Sequence, residues 1–482
     1  MNLGAVCARV DQRVSSRLLK VYHRLPPVAR SAVATLRGWY LRRSRYSKSS
    51  DALVAEARER DRWTPEQWRT WREERIAYVL HRAATRVPYY RDLWQQRRRH
   101  GDHASWELLE NWPLLEKDMV RKQSRRFLAD DCDPRRMFEE HTSGTTGTPV
   151  TIWRARESLE QLYAIADTRT CGWEEIPRGT RWARLGGQLV TPVRQRKPPF
   201  WVWNAAMRQL YLSSYHLAPD LIPHYLEALA RYRIVYLAAY PSSAFALAQE
   251  ALRLGVDLPL LAVHTNAEPL TPVQRETIAQ AFRCPVRETY GMAESVAAAS
   301  ECPSGRLHQW PEFGHVEVMR DGELICTGLL NPDMPLIRYR VGDRGNPAAD
   351  LGPCACGRGL PPFGSVEGRR DDVLVTPDGR LVGRLDPVFK GTHAIREAQI
   401  IQESLDHVRV LLSPAPGFTK AVEAEMVDNL RDRMGDIRIT VELVDVLPRT
   451  ANGKVRAVIC KVPADVRAQA LRQRRPRHEL VR

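Results

Sequence analysis

The sequence lacks long apolar runs, and both lysine and cysteine are scarce among its 482 residues. No apolar run reaches the roughly 18 residues that a membrane-spanning helix needs, and Arg9, Asp11 and Arg13 interrupt the apolar core that a signal peptide would have. The nine cysteines are few and odd in number, which argues against a disulfide framework. We therefore expect a protein of the reducing cytoplasm.

The positive charge is carried almost entirely by arginine, since only 9 of the 73 basic residues are lysine. The net charge is +16, and the charge is densest in residues 37–48 and 467–482. These segments are not accompanied by a zinc-finger pattern, a helix-turn-helix pattern or the alternation of aromatic and basic residues found in RNA-binding proteins. We therefore expect no nucleic-acid partner. Solvated basic tails are the favoured interpretation, and peripheral membrane contact through the basic N-terminus is the alternative.

A hydrophobic content of 43% and a charged content of 27% are typical of a globular protein, and the length indicates two or more domains. Residues 1–60 show short amphipathic helical patterns that either dock on the main body or lie on a membrane. Residues 63–87 predict one long helix, which we expect to end at Pro88.

Strand-like and helical patterns alternate after residue 150. Short apolar runs predict strands at residues 181–185, 232–237, 258–264 and 286–290, with helical patterns between several of them. This alternation predicts an α/β fold, in which helices cover a parallel or mixed sheet.

The pattern changes near residue 368. Strands are predicted at residues 372–375, 398–402, 408–412 and 437–444, and a helix at 421–434. We therefore predict a basic N-terminal helical extension (1–60), a large domain (61–367), a small mobile α+β domain (368–465) and a basic tail (466–482).

One polar, glycine-containing turn is the strongest candidate for ligand binding. It consists of Thr142, Ser143, Gly144, Thr145, Thr146, Gly147 and Thr148. Glycine permits close approach of backbone N–H groups to a ligand, and the hydroxyls add donors, so the turn suits a polyphosphate. It is not a Walker loop, because no Gly-Lys-Ser/Thr follows. A polar linker is the alternative, although residues 150–153 predict a strand directly after the turn.

Four further stretches carry polar side chains that could bind a ligand or take part in catalysis. They are residues 290–294, 338–343, 368–372 and 448–456. Singly, each has a structural alternative: a strand-end turn, a surface ion pair, a linker or a hairpin. Lys454 is harder to explain structurally, because lysine is scarce in this chain.

Together and in this order, the five stretches resemble the adenylate-forming superfamily of acyl-CoA synthetases. The resemblance is greatest to the phenylacetate-CoA ligase-like branch, including its capsular-polysaccharide-associated members, and extends from about residue 78 to residue 461. It implies ATP-dependent activation of a small-molecule carboxylic acid as an acyl-adenylate, with transfer to a thiol, for which CoA is the expected source. Transfer to an amine, hydroxyl or carrier protein, and a catalytically silent nucleotide-binding scaffold, are the alternatives.

The resemblance also implies roles for individual residues. Residues 142–149 would hold the ATP phosphates, Glu294 would bind Mg²⁺, Asp343 the ribose, and Lys454 would bridge the substrate carboxylate and the α-phosphate. The remaining assignments are Glu268, Pro269, Tyr290 and Gly291 beside the adenine, and Arg369 at the nucleotide next to the hinge residue Asp371. Many relatives have lysine where this chain has Thr148, so one phosphate contact is absent.

Three thiols and an imidazole form a second candidate site. Cys302, His308, Cys354 and Cys356 are a complete tetrahedral zinc set, with His315 in reserve. Their spacing is looser than paired CxxC, and four unrelated loop residues are the alternative. Residues 353–358 resemble the cysteine-rich turn of phenylacetate-CoA ligase-like proteins, some of which hold a structural metal.

The acyl site is the least defined part of the prediction. The resemblance places it near Tyr215, His216, Tyr240 and Pro241, and it leaves the identity of the acid open.

Overall fold

The N-terminal part of the protein is helical. The structure is a computed structural model that describes residues 12–47, 49–141, 150–346, 348, 352–366, 373–383, 385, 388, 394–415, 417–445, 447–448 and 456–473. The α-helices of this described part are α1 (Gln12–Arg24), α2 (Pro27–Arg45), α3 (Ser50–Arg60), α4 (Pro65–Arg86), α5 (Pro88–Arg99), α6 (Lys117–Lys122), α7 (Arg156–Asp167), α8 (Ile222–Arg231), α9 (Pro241–Leu254), α10 (Pro272–Phe282), α11 (Lys420–Met434) and α12 (Ala464–Gln473). Among them, no helix has the length and apolarity needed to cross a bilayer.

The strands form several separate sheets. They are β1 (Phe138–His141), β2 (Thr151–Arg154), β3 (Trp182–Gly186), β4 (Trp201–Asn204), β5 (Gln209–Ser213), β6 (Tyr236–Ala239), β7 (Ala262–Asn266), β8 (Val286–Gly291), β9 (Ala298–Glu301), β10 (Leu307–Gln309), β11 (Gly314–Val318), β12 (Glu323–Gly328), β13 (Tyr339–Arg344), β14 (Leu374–Val375), β15 (Leu381–Val382), β16 (Ile395–Ser404), β17 (His407–Pro414), β18 (Arg438–Leu443) and β19 (Val458–Cys460).

An eight-stranded mixed sheet forms the centre of the large domain, in the order β10-β9-β8-β7-β6-β3-β5-β4. Strands β8, β7, β6, β3 and β5 are parallel, whereas β9, β10 and β4 add antiparallel edges. Leu229, Leu247 and Phe282 from α8, α9 and α10 pack with Leu237 and Val263 of the sheet in one buried cluster. The sheet predicted from alternating patterns is therefore confirmed as mixed and packed against helices.

Helix α4 illustrates how local sequence sets an element boundary. Thr64 and Gln67 form a reciprocal capping box at its N-terminus, and Trp68 and Leu80 lie on its buried face. The prediction that this helix ends at Pro88 is confirmed, since α4 ends at Arg86. A second helix, α5, begins at Pro88 itself, because proline fits the first position of a helix without loss of a hydrogen bond.

The C-terminal unit is a small α+β structure. Its four-stranded sheet has the order β18-β17-β16-β19, with β16 and β17 antiparallel. Met426 and Leu430 of α11 pack with Ile400, Val408 and Val410 of this sheet. The predicted strands and helix are confirmed here, whereas the predicted linker at residues 368–372 lies outside the described residues.

Arg380 joins the small unit to the large domain. Its fully buried guanidinium donates to the Tyr215 carbonyl oxygen at 2.6 Å and to the carbonyl oxygens of Arg433 and Met434. The Asp378 carboxylate pairs with it at 3.0 Å. The two units are thus connected by a buried, charge-assisted network as well as by apolar packing.

A buried ion triad connects distant segments of the large domain. Arg169 donates to Asp61 at 2.8 Å and to both oxygens of Glu312, at 2.6 and 2.8 Å. All three residues are buried, so the guanidinium neutralises two carboxylates that come from distant parts of the chain.

We predict that Arg169→Met lowers the free energy of unfolding by about 3–5 kcal/mol, because two buried carboxylates lose the guanidinium that hydrogen-bonds them. Within the described part of the chain, the only basic side chains then left near these carboxylates are Arg60 and Arg358, each at 4.0 Å. Chemical denaturation of the purified protein measures this. Arg91→Gln is the matched control: its partner Asp130 is solvent-accessible, so the loss should stay below about 1 kcal/mol. Equal effects of the two substitutions would contradict the prediction.

Candidate active site and metal centre

Two crossed tyrosine–carboxylate hydrogen bonds join the end of β8 to β13. The Tyr290 hydroxyl donates to Asp343 Oδ2 at 2.9 Å, and the Tyr339 hydroxyl donates to Glu294 Oε1 at 3.1 Å. Burial raises the pKa of Tyr290 well above its ordinary value, so this hydroxyl stays protonated as a donor. The structure therefore brings together three of the predicted residues, Tyr290, Glu294 and Asp343, from two different sheets.

Glu294 is buried and is held by a lysine that the sequence reasoning missed. Lys117, at the start of α6, donates to Glu294 Oε1 at 3.1 Å. Burial by itself would raise the pKa of Glu294, but the Lys117 ammonium and its hydrogen bonds outweigh burial and lower that pKa. Glu294 is therefore an ionised carboxylate, which is the form that can bind a cation.

Arg154 connects this turn to the hairpin around the predicted phosphate loop. Strand β1 pairs with β2 so that His141 lies opposite Thr151, on either side of the undescribed residues 142–149. Arg154, fully buried in β2, donates to Glu140 Oε2 at 2.9 Å and to the Ala293 carbonyl oxygen. The predicted strand after the loop is confirmed, and the loop's flanks lie beside the Glu294 turn.

Several predicted site residues lie outside the described residues. These are Thr142, Ser143, Gly144, Thr145, Thr146, Gly147, Thr148, Arg369, Asp371 and Lys454. Their roles stay predictions.

Glu268 and Pro269 follow β7, at the same edge of the sheet. The Glu268 carboxylate accepts a hydrogen bond from the Ser242 backbone N–H at 3.1 Å, at the N-terminus of α9. This position suits a carboxylate, since the helix dipole is positive there. Pro269 is exposed and Gly291, which ends β8, is half-buried.

The residues proposed for the acyl site have different environments. The Tyr215 hydroxyl donates to the Gly187 carbonyl oxygen at 2.9 Å, in the core. His216 is enclosed between Ser213 and the Pro192 carbonyl oxygen, and burial lowers its pKa to about 3. These contacts give His216 a structural role, whereas Tyr240 follows β6 at the edge that carries Glu268 and Glu294.

Cys302, His308, Cys354 and Cys356 come together at the end of β9 and β10. Their ligand atoms all lie within 4.8 Å of one another. The Cys302 and Cys354 sulfurs are 3.7 Å apart, and Cys356 Sγ is 3.5 Å from His308 Nε2. The corresponding edges of a tetrahedral zinc site are about 3.8 and 3.6 Å, from bond lengths of about 2.3 and 2.0–2.1 Å.

The surroundings of this cluster favour metal binding. His308 Nδ1 lies 3.0 Å from the Leu360 carbonyl oxygen, which orients the ring and points Nε2 at the cluster. Burial lowers the pKa of His308, so the imidazole is neutral and able to ligate. Among the described residues, His315 is not part of this group. The other four side chains already supply a complete set of four ligands, so His315 is not needed as a substitute.

Two residues of the site were missed in the sequence, Lys117 and Arg154, and Tyr339 lay in the selected stretch 338–343 without a role of its own. The scarcity of lysine that drew attention to Lys454 applies equally to Lys117. Arg154 gave no signal, because arginine is abundant in this chain, and a tyrosine in a strand is ordinary.

Comparison with known proteins gives consistent results. A family model described as the CapK C-terminal domain matches residues 374–461. Protein CapK of Staphylococcus aureus is 23% identical over 454 residues, which cover 91% of this chain and 98% of that protein. Phenylacetate-coenzyme A ligase of Thermus thermophilus is 24% identical over 337 residues, which cover 64% of this chain and 72% of the ligase.

Solved structures with a similar fold include 2-hydroxyisobutyryl-CoA ligase in two states. In its postadenylation state, in complex with R3-HIB-AMP, the TM-score is 0.50 at 20% identity, covering 86% of this chain and 94% of the ligase. In its thioesterification state, in complex with 2-HIB-AMP and CoA, the TM-score is 0.50 at 18% identity, covering 97% of each chain. At this level of identity the likeness establishes the fold.

We predict that Lys117→Met reverses the effect of Glu294 on how the free energy of unfolding depends on pH. In the unaltered protein the folded-state pKa of Glu294 is lowered, so its stabilisation is present above the unfolded-state pKa and is lost as the pH falls. Without Lys117, burial raises the folded-state pKa. The variant should then lose about 2–4 kcal/mol of unfolding free energy at pH 7 and less near pH 4.

Denaturant unfolding at several pH values between 4 and 7 measures this effect. Lys122→Met, at the exposed end of the same helix, is the control and should leave the pH profile unchanged. An equal loss at pH 4 and pH 7 in the Lys117 variant would indicate lost packing and would sink the electrostatic explanation.

Proposed function

We propose that this chain, an adenylate-forming protein of the phenylacetate-CoA ligase-like type, is an AMP-forming ligase that activates a carboxylic acid. ATP and the acid would form an acyl-adenylate and pyrophosphate, and the acyl group would then pass to the thiol of CoA. The identity of the acid is left open.

The observation that carries the proposal is the convergence of polar groups at one edge of the central sheet. Tyr240, Glu268 and Glu294 follow the carboxyl ends of β6, β7 and β8. In open α/β sheets, ligands bind outside the carboxyl ends of parallel strands. The crossed tyrosine–carboxylate bonds then place Asp343 beside this edge.

The hairpin flanking residues 142–149 supports a phosphate site here. Arg154 uses two nitrogens on Glu140 and Ala293, while its buried Nη1 has no hydrogen-bond partner within the described part of the chain. A buried N–H donor without an acceptor destabilises the folded protein. A phosphate oxygen held by residues 142–149 would satisfy this requirement.

The donor set also fits Mg²⁺, a hard cation that prefers oxygen ligands. Glu294 offers an ionised carboxylate in a buried position, and Lys117 supplies the balancing positive charge in this structure. When bound, Mg²⁺ would neutralise charge on the ATP phosphates. In our proposal Lys117 then turns towards a phosphate oxygen and partly replaces the lysine that many relatives have at the position of Thr148.

The reaction joins two anions, because a carboxylate attacks the α-phosphate. Catalysis therefore requires positioned cations and hydrogen-bond donors more than a nucleophilic side chain. Lys454 would supply a cation at the α-phosphate from the C-terminal unit. Its withdrawal with that unit would make room for the attacking thiol.

We predict that Lys454→Ala reduces carboxylate-dependent exchange of pyrophosphate into ATP by about 100-fold or more, the loss typical of a group that stabilises transition-state charge. Lys461→Ala is the matched control. Lys461 belongs to the same unit but pairs with Glu403 on its surface, so exchange should persist. Undiminished exchange in the Lys454 variant would remove its catalytic assignment.

The same exchange assay, run with a panel of aryl, aliphatic and sugar-linked acids, identifies the substrate class. Formation of a CoA thioester in a complete reaction tests the acceptor. Exchange without thioester formation would keep adenylation and replace CoA by an amine, a hydroxyl or a carrier-protein thiol.

The cysteine–histidine cluster is proposed to hold one structural zinc ion. Cys302 and Cys354 are too far apart for a disulfide, whose sulfurs lie about 2.05 Å apart. Trp68, Trp173 and Leu360 pack around the cluster, and an enclosed set of four protein ligands leaves no position for a substrate. The ion would therefore fasten the 352–362 segment to the end of the central sheet.

We predict about one zinc ion per chain by elemental analysis, from the four-ligand set. Cys354→Ser should lower both the zinc content and the thermal stability, because a tetrahedral structural site loses a ligand. Cys132→Ser, a cysteine outside the cluster, should change neither. Zinc-free protein whose stability is unaffected by Cys354→Ser would rule the site out.

A further inference from the structure

Helix α2 docks on the large domain through one face only. The Ser31 hydroxyl accepts from the Trp203 backbone N–H at 3.2 Å, and Thr35 accepts from the Ala205 N–H at 3.1 Å. Gly38 lies against the Asn204 side chain, which leaves no room for a larger residue. This docked face confirms that the helix belongs to the main body, and it fixes which side chains point away.

The opposite face of α2 is apolar and exposed. Val28 is 83% exposed, Leu36 70%, Trp39 59%, Tyr40 56% and Val33 42%. At about 100° per residue these side chains span an arc of about 140° on the helix surface. Large apolar side chains gathered on one exposed arc are typical of a contact surface rather than of scattered surface residues.

Positive charge surrounds this arc. Residues 12–50 contain ten lysine and arginine residues and no aspartate or glutamate. Helical spacing places Arg42 about 40° outside one border of the arc and Arg37 about 40° outside the other. Both side chains are exposed, although Arg42 Nη1 also donates to the Ala206 carbonyl oxygen at 3.4 Å on the docked side. Helix α1 also carries exposed apolar side chains, Leu18 and Val21.

We propose that α1 and α2 bind the surface of an anionic phospholipid bilayer, with α2 lying in the plane of the interface. An apolar arc that includes Trp and Tyr fits the boundary between headgroups and acyl chains, where these side chains are favoured. Arginines at the borders can extend to the phosphates while their stems cover apolar surface.

Charge complementarity favours an anionic bilayer over a second copy of the chain as the partner of the exposed face of α2. A second copy would bring its own exposed Arg37 and Arg42 up to the same face, and like charges at close range oppose association. An anionic lipid surface has the opposite charge and attracts basic segments near it. The docked face keeps α2 in place, so binding would hold the whole protein at the bilayer.

Flotation with phosphatidylcholine vesicles, with and without 30% phosphatidylglycerol, tests the proposal on the full chain. We expect binding only to the anionic vesicles, and weaker binding at high salt because the Debye length shortens. The Leu36→Ser/Trp39→Ser double variant should bind about tenfold or more weakly, since it removes interfacial apolar surface. Arg37→Gln/Arg42→Gln should weaken binding to anionic vesicles as well.

Two matched controls lie elsewhere on the surface. Leu261→Ser/Val273→Ser removes exposed apolar side chains, 50% and 65% exposed, and Arg135→Gln/Arg136→Gln removes exposed arginines. Both should bind vesicles as well as the unaltered protein. Thermal unfolding confirms that every variant is folded.

Equal binding to neutral and anionic vesicles, or no binding to either, would overturn the proposal. It would also be overturned if the Leu36/Trp39 variant changed only self-association in sedimentation experiments, since a second copy would then occupy the face. Loss of pyrophosphate exchange is not a readout here, so the result stands independently of the proposed function.

Discussion

Buried charges that must be paired hold the candidate active site together. Arg154 pairs with Glu140 and reaches the Ala293 carbonyl oxygen, and Lys117 pairs with Glu294 in the same turn. An unpaired buried ion costs several kcal/mol, so these partners constrain the hairpin, α6 and the turn after β8 to one arrangement. The same pairs leave an ionised carboxylate and a buried donor at one place, which is what binding of a metal–polyphosphate requires.

The junction between the two units follows the same rule. Arg380 is fully buried and is satisfied by Asp378 and by carbonyl oxygens from both units. Any movement of the C-terminal unit, such as the proposed withdrawal of Lys454, would have to exchange these hydrogen bonds for others. A rotation of the C-terminal unit would therefore lead from one arrangement in which Arg380 is fully hydrogen-bonded to another. An intermediate in which Arg380 lacks partners is unfavourable.

Local patterns determined much of the architecture. The alternation of strands and helices, the amphipathic stripe of α4 and the small α+β unit were all predictable, because burial imposes periodicity on sequence. Boundaries were less predictable: the strand expected at 232–237 lies at Tyr236–Ala239, because Arg233 adopts a left-handed turn after α8. The Cys-x-Cys turn, with its distinctive chemistry, was also recognisable from the sequence as part of the cysteine–histidine cluster.

Only the tertiary structure decided which residues meet. Lys117 is 177 positions from Glu294, and Tyr290 is 53 from Asp343, and no local pattern encodes such pairs. The structure also showed that His308 completes the cluster, and that His216 is enclosed in the core. By itself the sequence determined which elements form and which chemical groups are available. Contacts between distant segments depend on how the elements pack, so burial, charge pairing and the free face of α2 became visible only in three dimensions.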